Sequence, residues 1–204
     1  MGALPTWTAA ITHRSRRQHN SLRLSSWGVS MFKTAAMNVL MMASATAGAN
    51  QPVADLDLNR YAGQWNEIAH LPMFFQRHCV DRITASYTPL ADGTIEVRNA
   101  CRTKDGGTDE SVGAARPVAG SPGALKVRFA PEWLSWLPLV WADYWVVDLD
   151  PEYRWAVVGG PDKKSLWILS RKPSMDRAVF DALTARAAQR GYAVGNLIMA
   201  APLD

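Results

Sequence analysis

Few residues of this sequence have both the type and the spacing that catalysis requires. His78 and Cys79 form a candidate nucleophile pair, but adjacent side chains on an extended chain point to opposite faces. Glu67 shares the face of Trp65, whereas His70 alternates to the outward face, so Glu67 is interpreted as a hydrogen-bonded rim residue and not as a general acid. The sequence has no GxSxG, HExxH or phosphate-loop motif. We therefore predict a protein that is not an enzyme, with no cofactor and no metal.

The two cysteines, Cys79 and Cys101, are interpreted as a disulfide. Cys79 precedes a strand predicted over 83–88, and Cys101 follows a strand predicted over 94–99. A turn at 90–93 folds these strands into a hairpin, which brings the cysteines roughly opposite each other. An exported chain permits a disulfide. Two free thiols stay open as the alternative, and a metal pair lacks further ligands nearby.

The net positive charge of the chain comes from its first 49 residues. The 204-residue sequence has a formal net charge of +4, with 22 basic and 18 acidic residues. Five of the 22 basic residues and none of the acidic ones precede residue 50, so the remainder has 17 basic against 18 acidic residues and a net charge of −1. A nucleic-acid-binding domain needs a basic face on its folded part, so no nucleic-acid partner is predicted.

A secretory signal peptide is predicted within this basic segment. Met31-Phe32-Lys33 is a short positive start, residues 35–45 are modestly apolar, and small residues at 45–49 offer a cleavage site. The apolar run is too short to span a bilayer. Residues 1–30 have two interpretations. Either the translation start is assigned too far upstream and Met31 is the true start, or these residues extend the positively charged region of the signal peptide. The chain therefore divides into 1–49, an extension with a signal peptide (cleaved or disordered), and 50–204, one folded domain.

Short strand patterns separated by turns fill the folded domain. Apolar residues recur at every second position, as in Ile83, Ala85 and Tyr87, with polar residues between them. This period of two places one face inward and the other in water. Such repetition is typical of an all-β sandwich or barrel. Further strands are predicted over 111–118, 125–129, 143–148, 155–159 and 165–170.

A helix is predicted after the last of these strands. Ser174 is its expected N-cap, and Gly191 is its expected C-terminal stop. An apolar stripe, which we expect to pack outside the sheet, consists of Val179, Ala182, Leu183 and Ala187. Residues 192–199 are expected to add a short strand beside it.

Gly63, Trp65 and Arg171 mark the two strands that we expect to close a barrel. Gly63 permits a close backbone approach, and Trp65 needs burial and a partner for its indole N–H. We expect the last strand to offer that partner. Arg171 ends that strand, and an Arg over a Trp face contributes roughly 0.5–2 kcal/mol.

These residues resemble the three conserved regions of the lipocalins: Gly63-x-Trp65, the run Asp148-Leu149-Asp150-Pro151-Glu152-Tyr153, and Arg171. The runs 66–72 and 167–173 resemble the bacterial outer-membrane lipocalin and apolipoprotein D branch. The resemblance covers 55–202. It implies an all-β fold, an eight-stranded antiparallel up-and-down β-barrel with a C-terminal α-helix packed outside. Asn66 stands where the family usually has Tyr.

The same resemblance bears on localisation. Bacterial relatives are often lipoproteins with a Cys directly after the signal peptide, and no Cys precedes Cys79 in this chain. This departure implies a periplasmic or secreted protein, with association with the outer membrane left open.

A barrel of eight strands holds either side chains or one small ligand. Phe74 and Phe75 lie in the loop that the resemblance places over the mouth, where they would contact ligand. Tyr87, Asn99 and Tyr144 are expected to hold a carboxylate or phosphate head group near the mouth. For each residue a plain core role is the alternative. The resemblance implies that the inward positions are Ala85, Tyr87, Ile95, Val97, Asn99, Leu125, Val127, Phe129, Tyr144, Val146, Ala156, Val158 and Trp167.

The resemblance implies binding and transport or storage of a small apolar ligand, above all a fatty acid or lysophospholipid, in the bacterial cell envelope. Three alternatives stay open: a carrier of a tetrapyrrole or other ring ligand, an enzyme acting on an apolar substrate, and an interaction protein. The last would use Trp133, Trp136 and Trp141, in the apolar run 133–141, to contact a membrane surface or a second copy of the chain. Folding of this run back onto the barrel rim is the simplest alternative.

Overall fold

The computed structural model describes residues 48–204, so the predicted extension and signal peptide lie outside the described residues except for positions 48 and 49. The helices are α1 (Leu58–Tyr61) and α2 (Arg177–Gln189). The strands are β1 (Gly63–His70), β2 (Cys79–Pro89), β3 (Ile95–Thr103), β4 (Thr108–Val118), β5 (Ser121–Arg128), β6 (Ala142–Leu149), β7 (Trp155–Gly159), β8 (Leu166–Ser170) and β9 (Ile198–Met199). Short 3₁₀ turns lie at Phe74–Gln76, Glu132–Leu134, Pro138–Val140 and Val194–Asn196.

Strands β1 to β8 form a closed antiparallel barrel, as predicted. Each strand pairs with the next along the chain, and β1 pairs with both β2 and β8. Trp65 lies opposite Ala85 on β2, and Glu67 lies opposite Leu169 on β8. The predicted short strand near the C-terminus is β9, which pairs with the far end of β1. The predicted barrel topology is therefore confirmed, including the meeting of its first and last strands.

The up-and-down order gives the barrel two different ends. The connections β1–β2, at residues 71–78, and β5–β6, at residues 129–141, lie at one end, which we call the mouth. The other end, which we call the plug, is filled by α1 and by buried apolar side chains around Trp65. These are Leu56, Tyr61, Ile95, Ala115, Leu125, Val146 and Ala156, and the same cluster continues toward the mouth through side chains that also line the cavity described below: Tyr87, Val97, Tyr144, Val158 and Leu169.

The Trp65 indole N–H finds its partner locally and not in the last strand, which corrects one expectation. It donates to the Tyr61 carbonyl at 2.8 Å, while Arg171 lies over the ring face as predicted, 3.7 Å from the centroid. Gly63 has a φ of +88°, and a Cβ there would lie 3.6 Å from Arg171 Nη1, an ordinary contact distance. The backbone conformation, more than a close approach, therefore favours glycine at this position.

Helix α2 packs on the outside of the barrel, but it begins later than predicted. Asp176 is the N-cap, because its carboxylate accepts the Val179 N–H at 3.1 Å. Ser174, the predicted cap, instead donates its hydroxyl to Asp204 at 2.6 Å. Within residues 48–204, no helix is both long and apolar enough to cross a membrane.

The buried face of α2 is narrower than the predicted stripe. Leu183 and Ala187 are fully covered, whereas Ala182 is exposed. Gly191 has a φ of +93°, as a helix stop requires. The helix covers a second apolar cluster on the outer barrel face, which includes Ile68, Leu71, Val147, Val157, Leu166, Ile168 and Met175.

Candidate ligand-binding cavity

A cavity of about 370 Å³ lies inside the barrel, between the mouth and the plug. Its walls are largely apolar and come from strands on all sides of the barrel, with Ile83, Ala85 and Val158 as examples. The volume falls within the range of ~300–1,000 Å³ that is typical of small-molecule sites. The inward aromatic side chains therefore leave room for a ligand.

Most of the residues predicted to contact ligand line this cavity: Phe75, Ala85, Tyr87, Val97, Asn99, Val127, Phe129, Tyr144, Val158 and Trp167. Others point inward as expected but belong to the plug, below the open volume: Ile95, Leu125, Val146 and Ala156. Phe74 lies elsewhere, because its side chain is 77% exposed and borders a second pocket, next to β9. Sequence reasoning missed the contributions of Met73 and Gln76, which lie in the β1–β2 loop and have no strand period to reveal them.

Three tyrosine hydroxyls meet deep in the barrel. The Tyr144 hydroxyl lies 2.7 Å from the Tyr61 hydroxyl and 2.7 Å from the Tyr87 hydroxyl. Burial raises the pKa of each of these phenols above its ordinary value, so all three are neutral at physiological pH. The expected placement of Tyr87 and Tyr144 as head-group ligands near the mouth is wrong, because their hydroxyls reach the plug. We call Tyr61, Tyr87 and Tyr144 the tyrosine triad.

A second polar network fastens the β1–β2 loop across the mouth. The Glu67 carboxylate accepts a hydrogen bond from the Gln76 amide at 2.9 Å and is also hydrogen-bonded to His70 Nδ1. The Gln76 carbonyl oxygen accepts the Trp167 indole N–H at 3.1 Å. This chain joins the loop to both closing strands of the barrel, β1 and β8.

The position of His70 corrects the prediction that it faces outward. His70 is buried beside Glu67, three residues earlier on the same strand. The β1–β8 register shifts between Glu67 and Ala69. Such a bulge adds one residue to the strand, so two positions that would alternate can meet on one side.

The predicted disulfide is present at the mouth. Cys79 on β2 and Cys101 on β3 are bonded, with their Cα atoms 5.6 Å apart. His78 lies next to them and pairs with Asp109 at 2.8 Å. Because both sulfur atoms are in the bond, neither is a thiolate that could attack a substrate or bind a metal together with His78.

The charges around the cavity are few and mostly acidic. Among the described residues that line it, the ionisable side chains outside the tyrosine triad are those of Glu67, His78, Asp109 and Asp143, and none is Lys or Arg. Asp143 pairs with Lys126 at 2.7 Å. An anionic group within the cavity would therefore find no Lys or Arg among the described lining residues.

The β5–β6 connection, at the mouth, carries large apolar side chains that are exposed to solvent. Trp133 is 72% exposed, Trp136 74% and Leu139 97%. Trp141, which was grouped with them, is half-buried: its indole N–H donates to the Ser135 carbonyl at 2.8 Å, and the Arg116 guanidinium lies 4.1 Å from its ring centroid. The run therefore folds back onto the rim at Trp141 and projects outward at the other three residues, which we call the apolar rim.

A closed antiparallel barrel with a largely apolar cavity inside it is the architecture of a class of proteins that hold a small apolar molecule within a β-barrel. The family model described as a lipocalin-like domain matches residues 56–202. The chain belongs to the lipocalin family, which binds small hydrophobic ligands.

Curated relatives share a substantial part of the sequence. The chain is 39% identical to temperature-induced lipocalin-1 of Arabidopsis thaliana over 149 residues, which cover 71% of this chain and 78% of that protein. It is 36% identical to the outer membrane lipoprotein Blc of Vibrio cholerae over 151 residues, or 72% and 84% of the two chains. Insecticyanin from the tobacco hornworm Manduca sexta has a similar structure, with a TM-score of 0.57, 21% identity and coverage of 76% and 88%. That structural likeness concerns the fold alone.

Proposed function

We propose that this protein is a carrier, not an enzyme, and that it binds one single-chain lipid, a fatty acid or a lysophospholipid. The observation that carries the proposal is the open apolar cavity of about 370 Å³ inside the barrel. Transfer of an acyl chain from water into such a cavity contributes about 0.8 kcal/mol for each buried CH₂ group. The chain needs no cofactor or metal for this function.

The charges suggest how such a lipid would lie. A carboxylate or phosphate in the cavity would lose its hydration without gaining a cationic partner, because no described lining residue is Lys or Arg. The acyl chain therefore enters first, and the head group stays at the mouth in contact with water. Phe75, in the β1–β2 loop, and Trp167, at the mouth end of β8, would then contact the part of the chain nearest the head group.

The apolar rim supports loading from a lipid surface. Trp133, Trp136 and Leu139 lie at the mouth, and exposed tryptophans favour the interface between a bilayer and water. A protein docked through this rim would present its mouth to the membrane. The similarity to a protein named as an outer membrane lipoprotein supports a place in the cell envelope, as a periplasmic or secreted protein.

The direct test is identification of the bound molecule. The full chain, exported to an oxidising compartment and purified, would be extracted with organic solvent, and the released molecules identified by mass spectrometry. Titration of tryptophan fluorescence with fatty acids and lysophospholipids would run in parallel. We expect stoichiometric lipid or saturable binding near one to one. A coloured ring compound would favour the ring-ligand carrier, and an empty extract without a saturable response would favour the interaction protein.

A matched pair of variants locates binding in the cavity. Ala85→Trp adds a large side chain to the cavity wall, whereas Ala178→Trp adds the same side chain on the exposed face of α2. We expect the first to weaken lipid binding by roughly tenfold or more and the second to leave it unchanged.

Recovery of the lysophospholipid intact after long incubation would support a carrier, whereas release of free fatty acid would support an enzyme.

A further inference from the structure

The tyrosine triad at the inner end of the cavity has one more hydrogen-bond donor than it can use internally. Its three hydroxyls make two contacts, both through Tyr144. Each contact uses one O–H proton, whichever oxygen donates. Two of three protons are therefore used, and within residues 48–204 these hydroxyls make no other hydrogen bond.

Two of the three phenols that can hold the spare proton border the cavity. Tyr87 and Tyr144 line the cavity, whereas Tyr61 stands behind them and packs against Trp65 with ring centroids 5.0 Å apart. The three rings pack among apolar side chains, one of which is Val97. The cavity therefore ends in a polar group set in an apolar wall.

An unmodified acyl chain fits this end poorly. Its terminal methyl group accepts no hydrogen bond, and it would displace water that could otherwise accept the spare proton. A buried donor without an acceptor is costly. Burial raises the pKa of all three phenols, so the triad stays neutral and keeps its protons across the physiological range.

We propose that the tyrosine triad is a subsite for an uncharged oxygen acceptor at the end of the ligand that enters the cavity first. This inference rests on the proposed function and narrows its ligand class. The acceptor is a ketone, hydroxyl or ether oxygen, because a buried carboxylate would find no Lys or Arg on the cavity wall. The preferred ligand is thus an apolar molecule oxygenated at its buried end.

Two probes that differ only at the buried end test this subsite. One is a long saturated fatty acid, and the other is the same acid with a ketone one carbon from its methyl end. A ketone accepts hydrogen bonds but donates none, so it needs only the spare proton of the triad. We expect the full-length protein to bind the keto acid roughly tenfold more tightly than the plain acid.

The triple variant Tyr61→Phe/Tyr87→Phe/Tyr144→Phe removes the triad as a unit. Replacing all hydrogen-bonding partners together leaves none stranded, which favours a folded protein. Retained binding of the plain acid would report that the cavity is intact, and the keto preference should disappear. Tyr192→Phe is the matched control, because its hydroxyl bonds to Asn50 and Gly160, not to the triad. The double variant Tyr87→Phe/Tyr144→Phe removes both lining hydroxyls and should also lose the preference.

The outcomes separate this inference from the proposed function. Equal binding of both acids by the unaltered protein, or a keto preference that survives in the triple variant, would overturn the subsite while the carrier function stands. If neither acid binds the unaltered protein, single-chain lipid carriage itself fails, and the subsite fails with it.

Discussion

The Arg171 guanidinium lies 3.7 Å from the ring centroid of Trp65, so the end of β8 covers the start of β1. The same guanidinium donates hydrogen bonds to the carbonyls of Arg60 and Gln64 at 2.8 Å, and of Ala62 at 2.9 Å. Carbonyls at the end of a helix lack partners within it. Arg171 therefore satisfies the end of α1 and closes the barrel with one side chain.

Replacing Arg171 should destabilise the barrel without changing its cavity wall. Arg171→Met removes the cation–π contact and several charge-assisted hydrogen bonds, so we expect a loss of about 2–4 kcal/mol in the free energy of unfolding. Urea denaturation measures this loss. Lys172→Met is the control, since Lys172 is the exposed neighbour. Equal effects of the two substitutions would contradict the role given to Arg171.

The disulfide between Cys79 and Cys101 should stabilise the folded chain. It closes a loop with a sequence separation of 22, and such bonds typically contribute about 2–4 kcal/mol. Replacing both cysteines with Ser should lower the free energy of unfolding by that amount. A reducing agent should lower it equally in the unaltered protein and have no effect on the variant. A reductant effect of similar size in the variant would show that another group is responsible.

Gln76 should control how firmly the β1–β2 loop covers the mouth. Gln76→Ala leaves both the Trp167 indole N–H and a Glu67 oxygen without a partner. We expect faster hydrogen exchange over residues 72–78 and roughly tenfold faster ligand release. Stopped-flow tryptophan fluorescence measures the release rate. Arg77→Ala, at the exposed next position, should leave the hydrogen-exchange rate and the ligand-release rate near their original values. Equal effects of the two substitutions would contradict the role of Gln76 in holding the loop.

The tyrosine triad should make the protein sensitive to alkali. The pKa of each triad phenol is raised above about 10, its value in an unfolded chain. Above that pH the unfolded chain releases protons that the folded protein keeps, so the free energy of unfolding falls by about 1.4 kcal/mol per pH unit for each tyrosine. Below it, the triad adds no pH dependence.

Denaturation curves between roughly pH 8 and 11 test the predicted fall in the free energy of unfolding. The unaltered protein should lose stability more steeply above pH 10 than the triple Phe variant does. Tyr192, whose pKa is also raised by burial, is present in both proteins and cancels in the comparison. Parallel curves would mean that the triad ionises freely in the folded state.

The apolar rim should mediate contact with lipid surfaces. Trp133→Ser/Trp136→Ser removes two exposed rings at the mouth, so we expect weaker co-sedimentation with phosphatidylcholine vesicles and a change in stability within about 0.5 kcal/mol. Leu90→Ser, an exposed apolar position in the β2–β3 turn at the opposite end, should have little effect. If the double variant instead changes molecular mass in solution, the rim is a contact between two copies of the chain.

Local pattern predicted the strands, their inward faces and the contact that joins the first strand to the last. The period of two in residues such as Ile83, Ala85 and Tyr87 indicates which face of a strand turns inward, because side chains alternate along any extended chain. The hairpin that joins β2 and β3 likewise predicted the disulfide. The lipocalin resemblance supplied the strand order, which periodicity alone leaves open.

Depth within the barrel was decided by tertiary structure. Leu125 and Val127 share the inward face of β5, yet the first belongs to the plug and the second lines the cavity. Strand stagger sets these levels, and stagger depends on all pairings around the barrel together. The same holds for the triad, whose hydroxyls converge from α1, β2 and β6.

Local sequence pattern also did not predict which of two neighbouring side chains makes a given hydrogen bond. Ser174 and Asp176 both have side chains that can cap a helix, and the choice fell to Asp176 because Ser174 bonds to Asp204 near the C-terminus. His70 became buried beside Glu67 because β1 bulges where it pairs with β8. The sequence by itself determined the alternation of faces, the cysteine pair and the closing residues. Only the tertiary structure decided how deep each inward side chain lies in the barrel, that the three tyrosine hydroxyls meet, and which hydrogen-bond partners Ser174 and His70 have. Each of these depends on residues far apart in the chain.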